Sequence, residues 1–209
     1  MRRKGMVIDM IVLGLTGPTG GGKGALARAF SASGIPVFDA DAVYHSIVDR
    51  PSACVKALAK EFGDFILRAD GSLDRKVLAG YVFCGGEAQE KRIKTLTSIT
   101  HPFVLDECYE WIGEQKAKGH SFALIDAPLL CESGLDTKCD KVITVLAPTE
   151  VRLARIMLRD RIDEAAARAR IAAQPPHEYY AEHADFVVMN DADEAALTKR
   201  AKEILEELS

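Results

Sequence analysis

Residues 11–24 read Ile-Val-Leu-Gly-Leu-Thr-Gly-Pro-Thr-Gly-Gly-Gly-Lys-Gly, and Ala-Leu-Ala-Arg-Ala-Phe follows. An apolar run too short for a helix passes through glycines into an Ala-rich stretch, which reads as strand, glycine loop, helix. In that setting Gly17-Pro18-Thr19-Gly20-Gly21-Gly22-Lys23-Gly24 is a GxxxxGK phosphate loop. Glycines at 17 and 22 let the backbone curl until successive amides face phosphate oxygens. The helix N-terminus adds partial positive charge, and Lys23 neutralises the outer phosphates. Gly17, Gly20, Gly21, Gly22, Lys23, Gly24 and Ala25 are therefore the candidate nucleotide-binding residues. The plain alternative, a Gly-rich turn before an ordinary helix, is disfavoured by the strand and helix on either side. Where a Ser or Thr hydroxyl ordinarily ligates magnesium, this chain has Gly24. That departure bears on metal more than on nucleotide. Mg2+ is expected to be held through nucleotide phosphates, waters and a carboxylate, because the ion keeps most of its water shell.

Working outward, further short apolar runs rich in Val, Ile, Leu and Phe occur at 35–38, 122–125, 142–146 and 186–189, with the first spanning 10–16. They suit strands of a sheet covered on both faces. Helical spacing of apolar residues marks 23–33, several segments between 41 and 118, then 149–173 and 194–208. The alternation predicts an α/β fold with a five-stranded parallel sheet. Between the second and third strands lie roughly 80 residues where a plain crossover needs about a dozen. That interval, 41–120, is expected to be a helical insertion, with the core at 10–40 and 121–209. Residues 1–9 are expected to be a short tail, possible translation starts including Met10.

Acids follow the expected strand ends, where ligands of open parallel sheets gather. Asp39 and Asp41 come after Ile-Pro-Val-Phe, and Asp126 after Phe-Ala-Leu-Ile, an apolar run ending in Asp as in a Walker B strand. An aspartate so placed can accept a proton from an attacking hydroxyl or hold the metal; Asp39 and Asp126 are the metal candidates. Asp41 opens a helical segment, so capping is an equally ordinary role for it. Arg152, Arg155 and Arg159 recur at three- and four-residue steps and share a helix face, either as a solvated basic stripe or as a face that closes over a phosphoryl-transfer site. His101-Pro102 is expected to start a new helix, with no proton-transfer role.

With 209 residues, 48% hydrophobic and 28% charged, the chain can bury one core and a modest accessory part. A net charge of −4 lacks the basic excess of a protein that grips nucleic-acid backbone. Five cysteines, odd in number and never spaced CxxC, signal neither a disulfide framework nor a zinc site, which points to a reducing, cytoplasmic setting. No signal peptide or membrane-length apolar run is read, and no obligate protein partner is signalled. An NKxD run of the kind that recognises guanine is missing: the lone asparagine, Asn190, is followed by Asp-Ala-Asp.

Taken together, Leu-Gly-Leu-Thr-Gly-Pro-Thr-Gly-Gly-Gly-Lys-Gly (13–24), Gly-Ile-Pro-Val-Phe-Asp-Ala-Asp (34–41), Ile-Thr-His-Pro-Phe-Val (99–104), Leu-Ile-Asp-Ala-Pro-Leu-Leu-Cys-Glu (124–132), Arg-Leu-Ala-Arg-Ile-Met-Leu-Arg-Asp-Arg (152–161) and Arg-Ile-Ala-Ala-Gln (170–174) resemble the dephospho-coenzyme A kinases over nearly the whole chain, from Met10 to about Asp191. The resemblance implies a three-layer P-loop kinase fold, a helical coenzyme A domain made by the insertion, and a mobile lid at about 150–175. It implies transfer of the ATP γ-phosphate to the ribose 3'-hydroxyl of dephospho-CoA, with ATP and Mg2+ as cofactors. Asp41 matches the family's catalytic base, Thr16 its substrate-side hydroxyl and Arg155 its lid arginine. With Lys23 these form the implied catalytic set. The chain departs from the family at Gly24, at Gly20-Gly21-Gly22 where a Ser usually interrupts the glycines, and at Cys131. A kinase of another small molecule or nucleotide, or an ATP-binding protein weakened by Gly24, are the alternatives.

Overall fold

Five strands, β1 (Ile11–Thr16), β2 (Val37–Asp39), β3 (Phe122–Asp126), β4 (Lys141–Leu146) and β5 (Phe186–Met189), form one parallel sheet in the order β2-β3-β1-β4-β5. Register places Leu13 of β1 beside Leu124 of β3, Leu15 beside Asp126, and Thr16 beside Thr144 of β4. Strand order reverses around β1, so its carboxyl end and that of β3 flank the crevice where doubly wound sheets bind ligands. The computed structural model describes residues 10–191 and 193–209; the tail expected at 1–9 lies outside the described residues.

Two compact units divide the chain. One runs to Phe38 and resumes over Ile112–Ser209; the other is Asp39–Trp111. In the first, α1 (Lys23–Ala32) and α9 (Glu194–Glu207) pack on one face of the sheet. Leu26, Ala29 and Phe30 meet Leu197, Ala201 and Ile204 over Leu13, Leu15, Leu124, Ile143 and Val145. The β1 residues reach this core because alternate strand positions share a face. Asp193 caps α9 by accepting from the Ala196 amide.

The end of α1 explains why β2 begins at Val37 rather than at Ile35. Gly34, at φ 84°, donates to the Ser31 carbonyl and Ile35 donates to the Phe30 carbonyl. That pair of bonds is a Schellman closure, which claims Ile35 for the helix cap.

The second unit is helical: α2 (Ala40–Val48), α3 (Ala53–Phe62), α4 (Arg75–Val82) and the first part of α5 (Gln89–Ala117). Ser52 caps α3 and Asp74 caps α4. The turn at Asp70-Gly71 is held by the Ser72 amide and hydroxyl, both donating to Asp70, so that Leu67 and Leu73 pair across it. Ile47, Val48, Leu58, Ile66, Leu73, Leu78 and Val82 are buried within the unit.

Two expectations are corrected. His101-Pro102 does not start a helix, because Pro102 lies inside α5. Proline gives no N–H to the carbonyl four residues back; ahead of it, Thr97 donates its hydroxyl to the Ile93 carbonyl and Thr100 to that of Leu96. The segment 149–173 is two helices, α6 (Thr149–Asp160) and α7 (Glu164–Ala172). Arg161 sits in the left-handed region at φ 53° and Asp163 caps the second helix, so the backbone turns between them. A short helix, α8 (His177–Glu182), then leads into β5.

Candidate nucleotide and phosphoryl-transfer site

The loop after β1 has the shape a phosphate needs, and packing enforces it. Gly17 lies at φ 148°, where an added Cβ would come 2.4 Å from the Val145 carbonyl oxygen. Gly22 lies at φ 107° and caps α1; a Cβ there would come 1.8 Å from Asn190 Nδ2. No other residue type adopts both the backbone and the space at these two positions. The Gly21 amide donates back to the Pro18 carbonyl at 3.0 Å, which closes the loop upon itself.

Lys23, the first residue of α1, makes a charge-assisted hydrogen bond to Asp126 Oδ1 at the end of β3. Asp126 is buried, and Leu15, one residue before Thr16, is its strand neighbour. The loop lysine and the strand-end carboxylate thus meet at the crevice beside β1. The Thr16 hydroxyl is buried and donates to the Pro128 carbonyl at 3.1 Å, which leaves its oxygen free to accept.

Gly24 is exposed, and a Cβ built on it would meet only the end of the Arg28 side chain, 3.8 Å away. The helix therefore has room for a hydroxyl-bearing residue that it does not carry. As for magnesium, Asp126 offers the hard oxygen donor that ion prefers. Among the described residues no group of three or more His, Cys, Asp or Glu side chains is placed to hold a metal. A Mg2+ ion that takes most of its ligands from phosphates and water fits this donor set; one caged by protein does not.

Behind the loop stand Arg155, which the sequence singled out, and Asn190, which it did not. Asn190, immediately after β5 and 4% exposed, donates from Nδ2 to the Gly21 carbonyl at 2.8 Å. Arg155 donates to the carbonyls of Gly20 (3.3 Å) and Gly21 (3.5 Å), and to both the carbonyl and the side-chain oxygen of Asn190, each at 3.3 Å. Arg155 is thus close to the phosphate loop, on its carbonyl side. The rule that ligands collect at strand ends, applied above to the acids, also pointed at Asn190.

The three arginines of α6 do not form a solvated stripe. Arg152 is buried, Arg155 half-buried and Arg159 exposed, where it pairs with Asp160. Leu153 and Ile156, on the neighbouring face, pack with Ala167 of α7. Asp39 and Asp41 lie in the helical unit. Asp39, not Asp41, caps α2 by accepting from the Ala42 amide at 2.9 Å. Asp41 stands exposed in the first turn with its carboxylate free of that task.

The comparisons with known proteins agree on one family. The family model for dephospho-CoA kinase matches residues 11–196. A dephospho-CoA kinase of Anaeromyxobacter dehalogenans is 41% identical over 199 residues, covering 95% of this chain and 92% of that protein. Among solved structures, a Thermus thermophilus protein superposes with a TM-score of 0.78 at 30% identity, over 96% of this chain and 98% of its own. The dephospho-CoA kinase of Campylobacter jejuni gives 0.70 at 28% identity, over 95% and 96%. With its phosphate loop, parallel sheet and matched length, the chain belongs to the dephospho-CoA kinase family of P-loop kinases, which catalyses the final step of coenzyme A biosynthesis.

Proposed function

We propose that this chain transfers the γ-phosphate of ATP to the ribose 3'-hydroxyl of dephospho-CoA, giving CoA and ADP, in the cytoplasm. No helix of the described residues is long and apolar enough to cross a membrane, which accords with that setting. The observation that carries the reading is the meeting of Lys23 with Asp126 at the end of β3 beside a closed glycine loop.

Phosphoryl transfer leaves little covalent chemistry to the protein, so catalysis rests on positioning and charge stabilisation. The amides of Gly20 to Ala25 and the N-terminus of α1 cradle the donor phosphates. Lys23 would leave Asp126 for the β- and γ-phosphates; Asp126 would then offer Mg2+ a carboxylate, Asp39 being the other candidate, and the ion would supply neutralisation of charge on the phosphates. Thr16, its proton held by Pro128, accepts a hydrogen bond from the acceptor side. Asp41, free of capping, takes the proton of the attacking 3'-hydroxyl or orients that hydroxyl. Arg155 reaches the transferring phosphate by releasing the Gly20 and Gly21 carbonyls, contacts at the long end of hydrogen bonding and hence weakly held.

The test is incubation with ATP, magnesium and dephospho-CoA, followed by mass spectrometry, with adenosine, ribose and nucleoside monophosphates as parallel acceptors. Selective gain of one phosphate on dephospho-CoA is expected. Transfer to another acceptor alone, or ATP binding without any transfer, would overturn the proposal. Asp41→Asn should lower kcat by roughly 100-fold or more with little change in ATP affinity; near-normal turnover removes Asp41 from the mechanism.

A further inference from the structure

Thr19, in the middle of the phosphate loop, is gripped at every polar group it has. Its amide donates to Gln174 Oε1 at 2.9 Å, and its carbonyl accepts from Arg152 Nε at 2.9 Å. Arg152 Nη2 donates to the same Gln174 oxygen at 3.1 Å, so the three residues close a ring. The Thr19 hydroxyl accepts from Arg159 Nη2 at 3.3 Å. Next door the two backbones touch: a Cβ on Gly20 would come 2.8 Å from the Arg152 carbonyl oxygen.

Arg152 is an expensive residue to use here. It is 3% exposed, and among the described residues no carboxylate pairs with it; its third nitrogen faces His177 Nε2 at 3.1 Å. A guanidinium buried against neutral acceptors costs free energy that an apolar residue of similar volume would not. Its planar fork explains the choice, because Nε and Nη2 span the loop carbonyl and the glutamine at once. Its charge also sits behind a loop whose amides, on the phosphate-loop reading, would face an anion.

The ring joins separate parts of the chain. Arg152 belongs to α6, whereas Gln174 follows α7 in the connection to α8. Because α7 packs on α6 through Ala167, Leu153 and Ile156, motion of this helical pair and the shape of the loop are linked at Thr19.

We infer that Arg152 and Gln174 are positioning residues for nucleotide binding, which hold the phosphate loop through both backbone groups of Thr19 and so couple the α6–α8 segment to occupancy of the loop. The inference rests on the phosphate-loop reading of residues 17–24. Coupling of this kind is reciprocal: nucleotide in the loop must quieten the segment by the same factor that the intact segment tightens nucleotide.

The test compares wild type, Gln174→Ala and Arg152→Lys. MgATP affinity is read by calorimetry, KM for each substrate by transfer kinetics, and amide exchange over 164–177 with and without ADP. Gln174 is only half-buried, so its variant retains the fold even where the buried Arg152 variant does not. Gln174→Ala is expected to raise Kd and KM for ATP about tenfold, as loss of a charge-linked hydrogen-bond ring does, leaving KM for dephospho-CoA near wild type. ADP should slow exchange over 164–177 in the wild type and not in the variant. A purely structural role would lower the active fraction without this split. Wild-type ATP affinity together with wild-type protection in Gln174→Ala overturns the inference. Failure of the wild type itself to bind ATP overturns the phosphate-loop reading, a distinct result.

Discussion

The phosphate loop with its flanking β1 and α1, and the α6–α8 segment that backs it, are held by different means. The first is fixed by backbone geometry: positive φ at Gly17 and Gly22, a strand register, a Schellman closure, and a helix whose apolar face is buried against α9. The second has a small core of Leu153, Ile156 and Ala167, and its polar grip on Thr19, Gly20 and Gly21 comes from side chains. Backbone-fixed structure tolerates little change and moves little. Side-chain-fixed structure can let go, and within a kinase that is where motion belongs.

The contrast can be broken most severely at Gly22. Gly22→Ala places a methyl within bonding distance of Asn190 at a φ that alanine resists. A loss of about 3–5 kcal/mol in stability, with ATP binding abolished, is expected in denaturant titration and calorimetry. A wild-type midpoint would mean that the loop is softer than its geometry implies.

Next in size is the small core between α6 and α7. Ile156→Ala should cost about 2–4 kcal/mol, and amide exchange should accelerate in α6 and α7 while β1 and α1 keep their protection. Uniform acceleration everywhere would show that the two regions unfold as one.

A smaller effect is expected from pH. Burial and the facing Arg152 hold the His177 imidazole below its usual value, while Glu178 on its own helix opposes them. The unfolded chain therefore binds the proton more readily than the folded one. This contribution is intact above the unfolded value of about 6.5 and is lost as pH falls from there through the lowered folded value. Melting temperature should thus drop between pH 7.5 and 5.5 by more in the wild type than in His177→Gln; equal drops would mean that His177 does not feel Arg152 in this way.

The smallest change belongs to Gly24. Gly24→Ser finds open space and a better helix former, so stability should rise by a few tenths of a kcal/mol. The magnesium concentration for half-maximal rate should fall about two- to threefold if the missing hydroxyl matters to the ion. An unchanged magnesium profile would show that phosphates, water and carboxylate already suffice.

Much was legible in local pattern. The glycine loop and Lys23 could be read directly, because phosphate binding needs those residues at that spacing. The five strands were legible within a residue or two, since buried parallel strands must be short apolar runs. Asp126 was legible as the acid at a strand end. Local pattern misread His101-Pro102, because proline is favoured in the first turn of a helix, whereas α5 continues through Pro102. It also merged α6 with α7, since helical periodicity resumes after the single left-handed residue Arg161.

Sequence alone therefore determined the fold class, the nucleotide loop and the family, each of which rests on contacts close in the chain or on spacing that chemistry dictates. Tertiary structure decided which arginine is buried, which aspartate caps α2, and what holds the back of the loop. Arg152, Arg155 and Arg159 look alike in a helical repeat. Their separate fates come from Thr19, Gln174 and Asn190, brought to them across more than a hundred residues in the cases of Thr19 and the loop carbonyls. Long-range closure of that kind leaves no period to read, because each partner is chosen by the path of the whole chain rather than by its neighbours.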